Sequence, residues 1–284
     1  MTGLTYAELI RVGSGKLRDA GLSDPVREAR QLMLLASDFA AADLISAELD
    51  IADPDHHAAF NMFVSMREDR HPVAHITGWA PFYGLRLRSD SRALIPRADS
   101  EPVVDLALEQ IATGTAWQIA DLGTGTGALL AAVLMARPES SGTAIDLSAA
   151  ALSLAAENFA HLNLSGRAEL FSGSWADWTG WSTCDLIISN PPYIRTAVLE
   201  TLAPEVRDHD PNMALDGGPD GLIAYREIIA LAARQMHTGA HLVLEIGYDQ
   251  KAAVTPLLQT AGFATIQHRQ DLGGNDRAIA ATKT

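Results

Sequence analysis

The spacing of apolar residues in the first seventy positions predicts a bundle of short helices. In residues 25–37, PVREARQLMLLAS, apolar side chains recur every three or four positions, so that Leu32, Leu34 and Leu35 would face a core. Asp24 is a good capping residue, and the proline after it suits the first turn of a helix. Three further helices are predicted, one starting at a Thr5–Glu8 capping box, one over 40–47 and one over 54–67.

The pattern changes after residue 70, where alternation replaces helical spacing. The stretch LRLR alternates apolar and charged residues between turn residues, which predicts a β-hairpin within 70–96. From Asp99 onward, helical patterns alternate with continuous apolar runs such as WQIADLG and HLVLEIG, which predicts an α/β fold with a doubly wound, mainly parallel sheet. The last two runs, ATIQHRQD and RAIAATK, form a hairpin that can insert one antiparallel strand. The predicted domains are a helical domain at 1–72, a β-hairpin linker at 73–97 and an α/β domain at 98–284.

Composition and charge narrow the classes of partner. The 284 residues carry a formal charge of −14, which repels a phosphate backbone over most of the surface and so disfavours a nucleic acid partner, although a local basic patch stays compatible with this charge. No apolar run reaches the roughly 18 residues of a membrane span, and the first residues lack the pattern of a secretory signal. We therefore expect a cytoplasmic protein with no membrane partner, and we separately expect it to be a monomer. Cys184, the single cysteine, fits a reducing compartment, and the nine histidines show no metal-ligand spacing, so we predict no metal.

A glycine-rich loop supplies the first chemical signal. The run Asp121-Leu-Gly-Thr-Gly-Thr-Gly127 follows a predicted strand and precedes a predicted helix, where alternate glycines let the backbone approach a ligand and the helix start offers free N–H groups. Its spacing departs from the dinucleotide pattern, and its leading acid would repel a pyrophosphate but attract an ammonium group. Asp146 ends the next predicted strand, where an acid suits ribose hydroxyls. Together these features favour S-adenosylmethionine over NAD. The predicted cofactor contacts in the loop are Asp121, Gly123, Thr124, Gly125, Thr126 and Gly127.

The second chemical signal is an amide, two prolines and a phenol that end the apolar strand DLIIS. An amide nitrogen is a weak nucleophile, so a methyl-transfer catalyst must accept hydrogen bonds from the NH₂ group and stabilise the charge that develops on nitrogen. The side-chain oxygen of Asn190 and the backbone carbonyl of Pro191 are suitable acceptors. Pro191 and Pro192 lack N–H donors and favour an extended backbone, and Tyr193 offers a flat face for a planar amide or base. Either motif alone also fits a structural turn, but both at neighbouring strand ends indicate one site.

These motifs resemble those of a known enzyme family. DLGTGTG, Asp146 and NPPY are similar to the motifs of S-adenosylmethionine-dependent methyltransferases that modify the amino group of adenine or guanine, or the side-chain amide of glutamine. Three flanking segments narrow the resemblance to the protein-(glutamine-N5) methyltransferases of peptide-chain release factors, the PrmC/HemK family. These segments are RHPVAHITGWAPFYGLRLRSDSRALIPRADSE, EVRDHDPNMALDGGPDGLIAYREI and DLGGNDRAIAAT. The resemblance covers nearly the whole chain and is weakest in the first seventy residues.

The resemblance implies a fold, a substrate and roles for particular residues. It implies a Rossmann-like class I methyltransferase with a seven-stranded sheet at 98–284, which binds S-adenosylmethionine and releases S-adenosylhomocysteine. The substrate would be the glutamine in the Gly-Gly-Gln motif of class I release factors, bound at Asn190 to Tyr193, with the helical domain recognising the factor. Asp146 would contact the ribose, and Trp175 and Asn190 would lie near the adenine and the methyl centre. Ser174 stands where the family often has an acid, which weakens the assignment of Trp175.

Two further segments are expected beside these motifs. The stretch Ile95–Glu101 has lost one proline of the family pattern and carries Ser100 in place of a threonine. We expect it to border the cofactor site without a catalytic role. The long loop 195–221 either grips the substrate or is a packed excursion of the chain. Three other functions stay open at this level: a DNA or RNA amino-methyltransferase, a methyltransferase of a ribosomal-protein glutamine, and a non-catalytic cofactor-binding module.

Overall fold

The chain forms two compact units. The computed structural model describes residues 3–284, and its backbone contacts divide the chain into Met1–Gly78 and Trp79–Thr284. This division falls inside the segment 73–97 that we expected to be a linker. The domain limits at 72 and 97 stay predictions.

Local capping sets the helix ends of the first unit. The Thr5 hydroxyl accepts the N–H of Glu8 at 3.2 Å, and the Glu8 carboxylate accepts the N–H of Thr5 at 2.9 Å. Asp24 and Asp53 each cap a helix that begins with proline. The four predicted helices are present. The helices of this unit are α1 (Tyr6–Asp19), α2 (Pro25–Ser37), α3 (Ala41–Ser46), α4 (Pro54–Glu68) and α5 (Val73–Thr77).

The core of the first unit lies between α1, α2 and α4. Leu17 of α1, Leu32 of α2 and Phe60 of α4 are buried there, while Leu34 packs at the edge. A Cβ on Gly13 of α1 would lie 2.6 Å from the ring of Phe60. The two helices therefore approach closely at this point because α1 carries no side chain there.

Helix α5 was not expected from the sequence, where the segment 70–96 indicated only a hairpin. Pro72 stands at its N-cap with φ −58°, and Gly78 ends it with φ +74°, a conformation that glycine adopts without strain. A helix of five residues completes little more than one turn. It therefore leaves no repeating apolar pattern for sequence reasoning to detect.

The second unit begins with a hairpin and continues as an α/β fold. The most apolar helix, ALLAAVLMA, has nine residues, and no helix within residues 3–284 is long and apolar enough to cross a membrane. The strands are β1 (Trp79–Phe82), β2 (Leu85–Arg88), β3 (Gln118–Leu122), β4 (Ser141–Asp146), β5 (Ala168–Ser172), β6 (Leu186–Ser189), β7 (His241–Glu245), β8 (Phe263–Gln270) and β9 (Asp276–Lys283). The helices are α6 (Glu101–Gln110), α7 (Ala128–Ala136), α8 (Ala149–His161), α9 (Pro204–Arg207), α10 (Ile223–Gln235) and α11 (Lys251–Thr260).

Seven strands form one mainly parallel sheet in the order β5-β4-β3-β6-β7-β9-β8. Strands β3 to β7 are parallel, whereas β9 runs antiparallel between β7 and β8. This confirms the predicted doubly wound sheet with one inserted antiparallel strand. Strand β3 pairs with β4 on one side and with β6 on the other, so the chain reverses its direction of winding beside β3. In such sheets ligands bind beyond the carboxyl ends of the strands at this reversal.

Helices cover both faces of the sheet and complete its core. On β6, Leu186 and Ile188 join one apolar cluster with α6, α7 and α8, whereas Ile187 joins the opposite cluster with α10 and α11. The alternation follows from the two-residue period of a strand. Cys184 is two residues before β6 and is buried in the second cluster.

The hairpin is tied to the α/β body by a buried amide. The backbone N–H of Arg88 donates to the Asn158 side-chain oxygen at 2.6 Å, and Asn158 Nδ2 donates to the carbonyls of Arg88 at 3.1 Å and Thr126 at 2.9 Å. Asn158 lies on α8 and is fully buried. This contact holds the chain after β2 beside the loop that follows β3.

Candidate active site

A cavity of about 280 Å³ opens beyond the carboxyl ends of β3, β4, β5 and β6. The segment Arg92–Arg97, from the expected linker, forms part of its wall, as do three residues of the long loop 195–221. The structure thus brings together parts of the chain that lie far apart in the sequence. The predicted site residues on the wall are Gly123, Thr124, Gly125, Thr126, Asp146, Trp175, Asn190 and Pro192. The remaining predicted residues, Asp121, Gly127, Pro191 and Tyr193, adjoin this wall in sequence but do not line the cavity.

The glycine-rich loop turns sharply between β3 and α7. Gly123, Gly125 and Gly127 all have positive φ, at 69°, 56° and 79°. A Cβ at Gly125 would meet only Ala93, at 3.8 Å, so its backbone stays open to the cavity. A Cβ at Gly127 would instead lie 2.8 Å from the Phe159 ring. The absence of a side chain at Gly127 therefore allows the loop to pack closely against Phe159 of α8.

Asp146 ends β4 and organises two turns at once. Its Oδ2 accepts the N–H of Gly125 at 2.9 Å, and its Oδ1 accepts the N–H of Ser148 at 2.9 Å. Each carboxylate oxygen can accept a further hydrogen bond. Asp146 lines the cavity with acceptor capacity to spare, which suits a ligand with hydroxyl groups.

Asp121 is a buried carboxyl beneath the loop. Its Oδ2 accepts the hydroxyl of Thr124 at 2.7 Å, while its Oδ1 has no hydrogen-bond partner among residues 3–284. Burial raises the pKa of Asp121 to about 7, and the nearby charge of Asp146 adds to the effect. An unpartnered buried oxygen is costly unless a ligand, water or ion completes it.

Trp175 closes the cavity beyond the end of β5. Its backbone carbonyl accepts the indole N–H of Trp181 at 2.9 Å, and its ring lies 3.7 Å from the position of a Cβ on Gly123. Its own indole Nε1 is buried without a partner among the described residues. The Ser174 hydroxyl, in the place of the expected acid, caps the following turn by accepting the N–H of Ala176.

The NPPY stretch continues directly from β6. Ser189 Oγ donates to the carbonyl of Leu122 at 2.6 Å, which fixes the end of β6 against the end of β3. Asn190 Nδ2 donates to Ser100 Oγ at 3.3 Å, so its Oδ1 is left for another donor. The Tyr193 hydroxyl donates to Glu245 Oε1 at 3.0 Å. Burial and the charge of Glu245 raise the pKa of Tyr193, which keeps its phenol protonated.

Sequence reasoning missed Glu245, the buried last residue of β7. Burial raises the pKa of Glu245 to about 7, although the hydrogen bond from Tyr193, the nearby Ser100 side chain and the charge of Arg277 lower it in part. Its Oε2 has no partner at hydrogen-bond geometry within residues 3–284. An acid that ends a continuous apolar strand was the signal used for Asp146, and the same signal in HLVLE would have found Glu245.

The long loop reaches the cavity through an ion pair. Arg97 Nη2 lies 3.1 Å from Oδ2 of Asp210, whose side chain is fully buried. Burial raises the pKa of Asp210, while the charge of Arg97 lowers it. Pro211, Met213 and Ala214 follow and line the cavity. The loop therefore contributes to the wall, and its contact with a substrate stays a prediction.

Comparison with known proteins identifies the family. The PrmC N-terminal domain matches residues 8–78, and the methyltransferase small domain matches residues 101–206. A release factor glutamine methyltransferase from Caulobacter vibrioides is 38% identical over 280 residues, which cover 99% of this chain and 97% of that protein. Another from Cereibacter sphaeroides is 40% identical over 276 residues, 97% of each chain. The chain belongs to the release factor glutamine methyltransferase family. This confirms the resemblance seen in the sequence motifs.

A solved structure supports the fold of this family member. A methyltransferase from Pyrococcus furiosus superimposes with a TM-score of 0.53 at 17% identity, over 71% of this chain and 90% of that chain. At such low identity the likeness concerns the fold alone. The protein is therefore a methyltransferase by family, and its fold is the Rossmann-like sheet that the family resemblance implied.

Proposed function

We propose that the protein transfers a methyl group from S-adenosylmethionine to the side-chain amide nitrogen of the glutamine in the Gly-Gly-Gln motif of class I release factors. One observation carries this proposal: the glycine-rich loop with Asp146 and the NPPY asparagine line the same cavity. A cofactor site and an acceptor site for an amide thus share one space. The name of the full-length relatives supplies the release factor as the substrate.

The residues around the cavity fit S-adenosylmethionine. Asp146 would accept the ribose hydroxyls, and Trp175 would pack near the adenine, with an unpartnered indole N–H available to it. The residues Gly123–Gly127 would hold the amino-acid part close to the backbone, and the unpartnered oxygen of Asp121 would attract its ammonium group. The cofactor supplies an electrophilic methyl group on a sulfonium. S-adenosylhomocysteine leaves as the product.

The NPPY stretch would hold and orient the acceptor amide. Asn190 Oδ1 and the carbonyl of Pro191 accept its two N–H bonds and aim the nitrogen at the methyl carbon in line with the breaking bond. Both acceptors stabilise the positive charge that develops on nitrogen before the proton leaves. Pro192 keeps the backbone extended, and Tyr193 packs beside the amide with its hydroxyl anchored on Glu245.

The helical first unit would recognise the release factor outside its glutamine motif. This assignment rests on the match of residues 8–78 to the PrmC N-terminal domain. We keep the sequence-based expectations of a cytoplasmic monomer without nucleic acid or metal partners. The acidic surface, with a formal charge of −14, supports a protein substrate over a nucleic acid.

A labelling experiment tests the proposal. The purified protein is mixed with radiolabelled S-adenosylmethionine and, in separate reactions, with a class I release factor, with the same factor whose motif glutamine is replaced by alanine, with ribosomal subunits and with DNA. We expect label on the intact factor alone. Label on ribosomal protein or DNA would overturn the substrate, and binding of the cofactor without any transfer would favour a non-catalytic module.

A further inference from the structure

The side-chain amide of Gln250, at the start of α11, lies among four hydrogen-bond partners. Its Nε2 donates to the carbonyls of Tyr193 at 3.0 Å and Gly221 at 3.1 Å. Its Oε1 accepts the N–H of Gly247 at 2.9 Å and lies 3.1 Å from the Tyr225 hydroxyl. A primary amide has two N–H donors and an oxygen with two lone pairs, so this set fills its capacity. Gln250 is also buried, with 6% of its surface exposed.

The partners of Gln250 allow only one orientation of its amide. The carbonyls of Tyr193 and Gly221 only accept hydrogen bonds, and the N–H of Gly247 only donates. The Tyr225 hydroxyl adapts, because it also lies 3.0 Å from the carbonyl oxygen before Ile246. The nitrogen of Gln250 must therefore face the two carbonyls. A carboxylate of the same shape would place an acceptor against both of them.

The two carbonyls mark the two ends of the long loop 195–221. Tyr193 ends the NPPY stretch just before the loop, and Gly221 is its last residue. These residues bond the same nitrogen of Gln250, which lies 57 positions from the first and 29 from the second. Gln250 therefore closes the base of the loop with a single side chain.

The returning end of this loop packs directly on the chain that leaves the NPPY stretch. The N–H of Ile194 donates to the carbonyl of Leu215 at 3.0 Å, and the N–H of Gly217 donates to the carbonyl of Ile194 at 2.8 Å. A Cβ on Gly217 would lie 2.7 Å from the Cα of Tyr193. The two backbones thus touch without an intervening side chain, so a shift of the loop base moves Tyr193.

We propose that Gln250 is a positioning residue for methyl transfer: by holding the Tyr193 carbonyl beside Gly221, it fixes the backbone of the NPPY stretch against the returning loop. This inference rests on the proposed function and deepens it. The phenol of Tyr193 is already anchored on Glu245 at 3.0 Å, and Gln250 adds a second fixed point at the backbone. Tyr193 and the carbonyl of Pro191 are the groups that would touch the acceptor amide. Gln250 acts through them.

The bonds of Gln250 distinguish this role from that of an ordinary helix cap. A capping side chain bonds the N–H groups of its own first turn, and the side chain of Gln250 makes no such bond to α11. Gln250 also lies outside the wall of the cavity. The part of the loop that lines the cavity is held separately by the pair of Arg97 with Asp210. A change at Gln250 should therefore spare the cofactor and affect the acceptor.

Kinetics of three variants test the role. Gln250→Glu keeps the shape of the side chain but loses its donors, and Gln250→Ala removes the contact. Leu258→Ala, at a buried apolar position further along α11, is the control for general loss of packing. We expect kcat with the release factor to fall about 10- to 100-fold in both Gln250 variants, because the acceptor is bound but misaligned.

The other kinetic and binding constants show whether the loss is specific. The KM for the release factor and the affinity for S-adenosylhomocysteine should stay within about threefold of the unaltered protein in both Gln250 variants. The kcat of Leu258→Ala should also stay within about threefold, at a urea midpoint lowered at least as far as in Gln250→Glu. A kcat within about twofold in both Gln250 variants, or an equal loss in Leu258→Ala, would overturn the proposal.

Hydrogen exchange provides a readout that needs no activity. The N–H groups of Ile194 and Gly217 are bonded across the loop base, so they report whether it stays closed. We expect them to exchange about tenfold faster in Gln250→Glu than in the unaltered protein, and at the unaltered rate in Leu258→Ala. Equal exchange in the unaltered protein and Gln250→Glu would overturn the role. Faster exchange without a loss of kcat would also overturn it, since the loop base would then serve stability alone.

The two readouts separate this proposal from the proposed function. If the unaltered protein fails to label the release factor but exchange at the loop base responds to Gln250→Glu, the substrate assignment falls and the hold of Gln250 on the NPPY backbone stands. If the factor is labelled and neither kcat nor exchange responds to Gln250→Glu, the positioning role falls and the proposed function stands.

Discussion

The buried carboxyl of Glu245 makes a quantitative prediction about stability. Its pKa rises from an ordinary value of 4.5 to about 7 because of burial. Each pKa unit corresponds to about 1.4 kcal/mol, so ionisation of Glu245 costs the fold about 3 kcal/mol. Glu245→Gln keeps the shape of the side chain and removes the charge. The variant should therefore gain stability relative to the unaltered protein as the pH rises.

The sign follows from proton linkage. The folded state binds the proton of Glu245 more tightly than the unfolded state does, so the stabilisation is fully present below pH 4.5 and is lost as the pH rises through about 7. A glutamine at position 245 does not ionise, so its contribution to stability does not change with pH. The difference in free energy of unfolding between variant and unaltered protein should shift by about 3 kcal/mol in favour of the variant between pH 5 and pH 9. The raised pKa of Asp121 affects both proteins equally and cancels in this difference.

Urea unfolding followed by tryptophan fluorescence measures this difference. All five tryptophans lie in the second unit, so the signal reports on the unit that holds Glu245. Glu227→Gln is the control, because its exposed side chain contacts water in both the folded and unfolded states. A difference that changes by less than about 1 kcal/mol across this pH range, or that favours the unaltered protein at high pH, would refute the reasoning.

Three further predictions concern the site and its loop. Asn190→Ala should lower kcat by about two to three orders of magnitude, because the substitution removes one acceptor that stabilises the charge on nitrogen. The affinity for S-adenosylhomocysteine should stay within a few-fold. Unchanged turnover would exclude this role of Asn190. Asp146→Ala should weaken the binding of S-adenosylhomocysteine, measured by calorimetry, about 10- to 100-fold. The variant lacks the carboxylate that would accept the ribose hydroxyls and that holds the turns at Gly125 and Ser148. An unaltered affinity would contradict this. Gly127→Ala should destabilise the second unit by about 2 to 4 kcal/mol, because its φ is +79° and its Cβ would lie 2.8 Å from an aromatic ring. Gly166→Ala, where a Cβ meets nothing within 4 Å, is its control, and equal losses of stability would show that the reasoning is wrong.

Most helices and strands of this fold were predicted from local sequence patterns. A capping box predicted the start of α1, prolines after a capping aspartate marked the starts of α2 and α4, and continuous apolar runs predicted the strands of the parallel sheet. Helix α5 was missed because five residues carry no periodicity. The sequence also did not predict the close approach of Gly13 to Phe60, since this contact depends on how α1 packs against α4.

The two motifs of the site and the strand ends that carry them were likewise predicted from the sequence. Glycine spacing, an acid at a strand end and an amide followed by prolines each have a local chemical meaning. The sequence did not show that Gly127 packs against Phe159 or that Tyr193 is anchored on Glu245. Nor did it show that Arg97 and Asp210 pair across 113 positions to bring the long loop to the cavity.

The sequence by itself determined the order of elements, the family and the residue types that carry the chemistry, because these depend on short-range spacing. Only the tertiary structure decided which side chains are buried together. The hydrogen bonds of Asn190 with Ser100 and of Tyr193 with Glu245 join residues that lie 90 and 52 positions apart along the chain. Their meeting depends on the pairing of β6 with β7 and on the packing of the turn before α6, and the raised pKa values of Tyr193 and Glu245 follow from the burial that results.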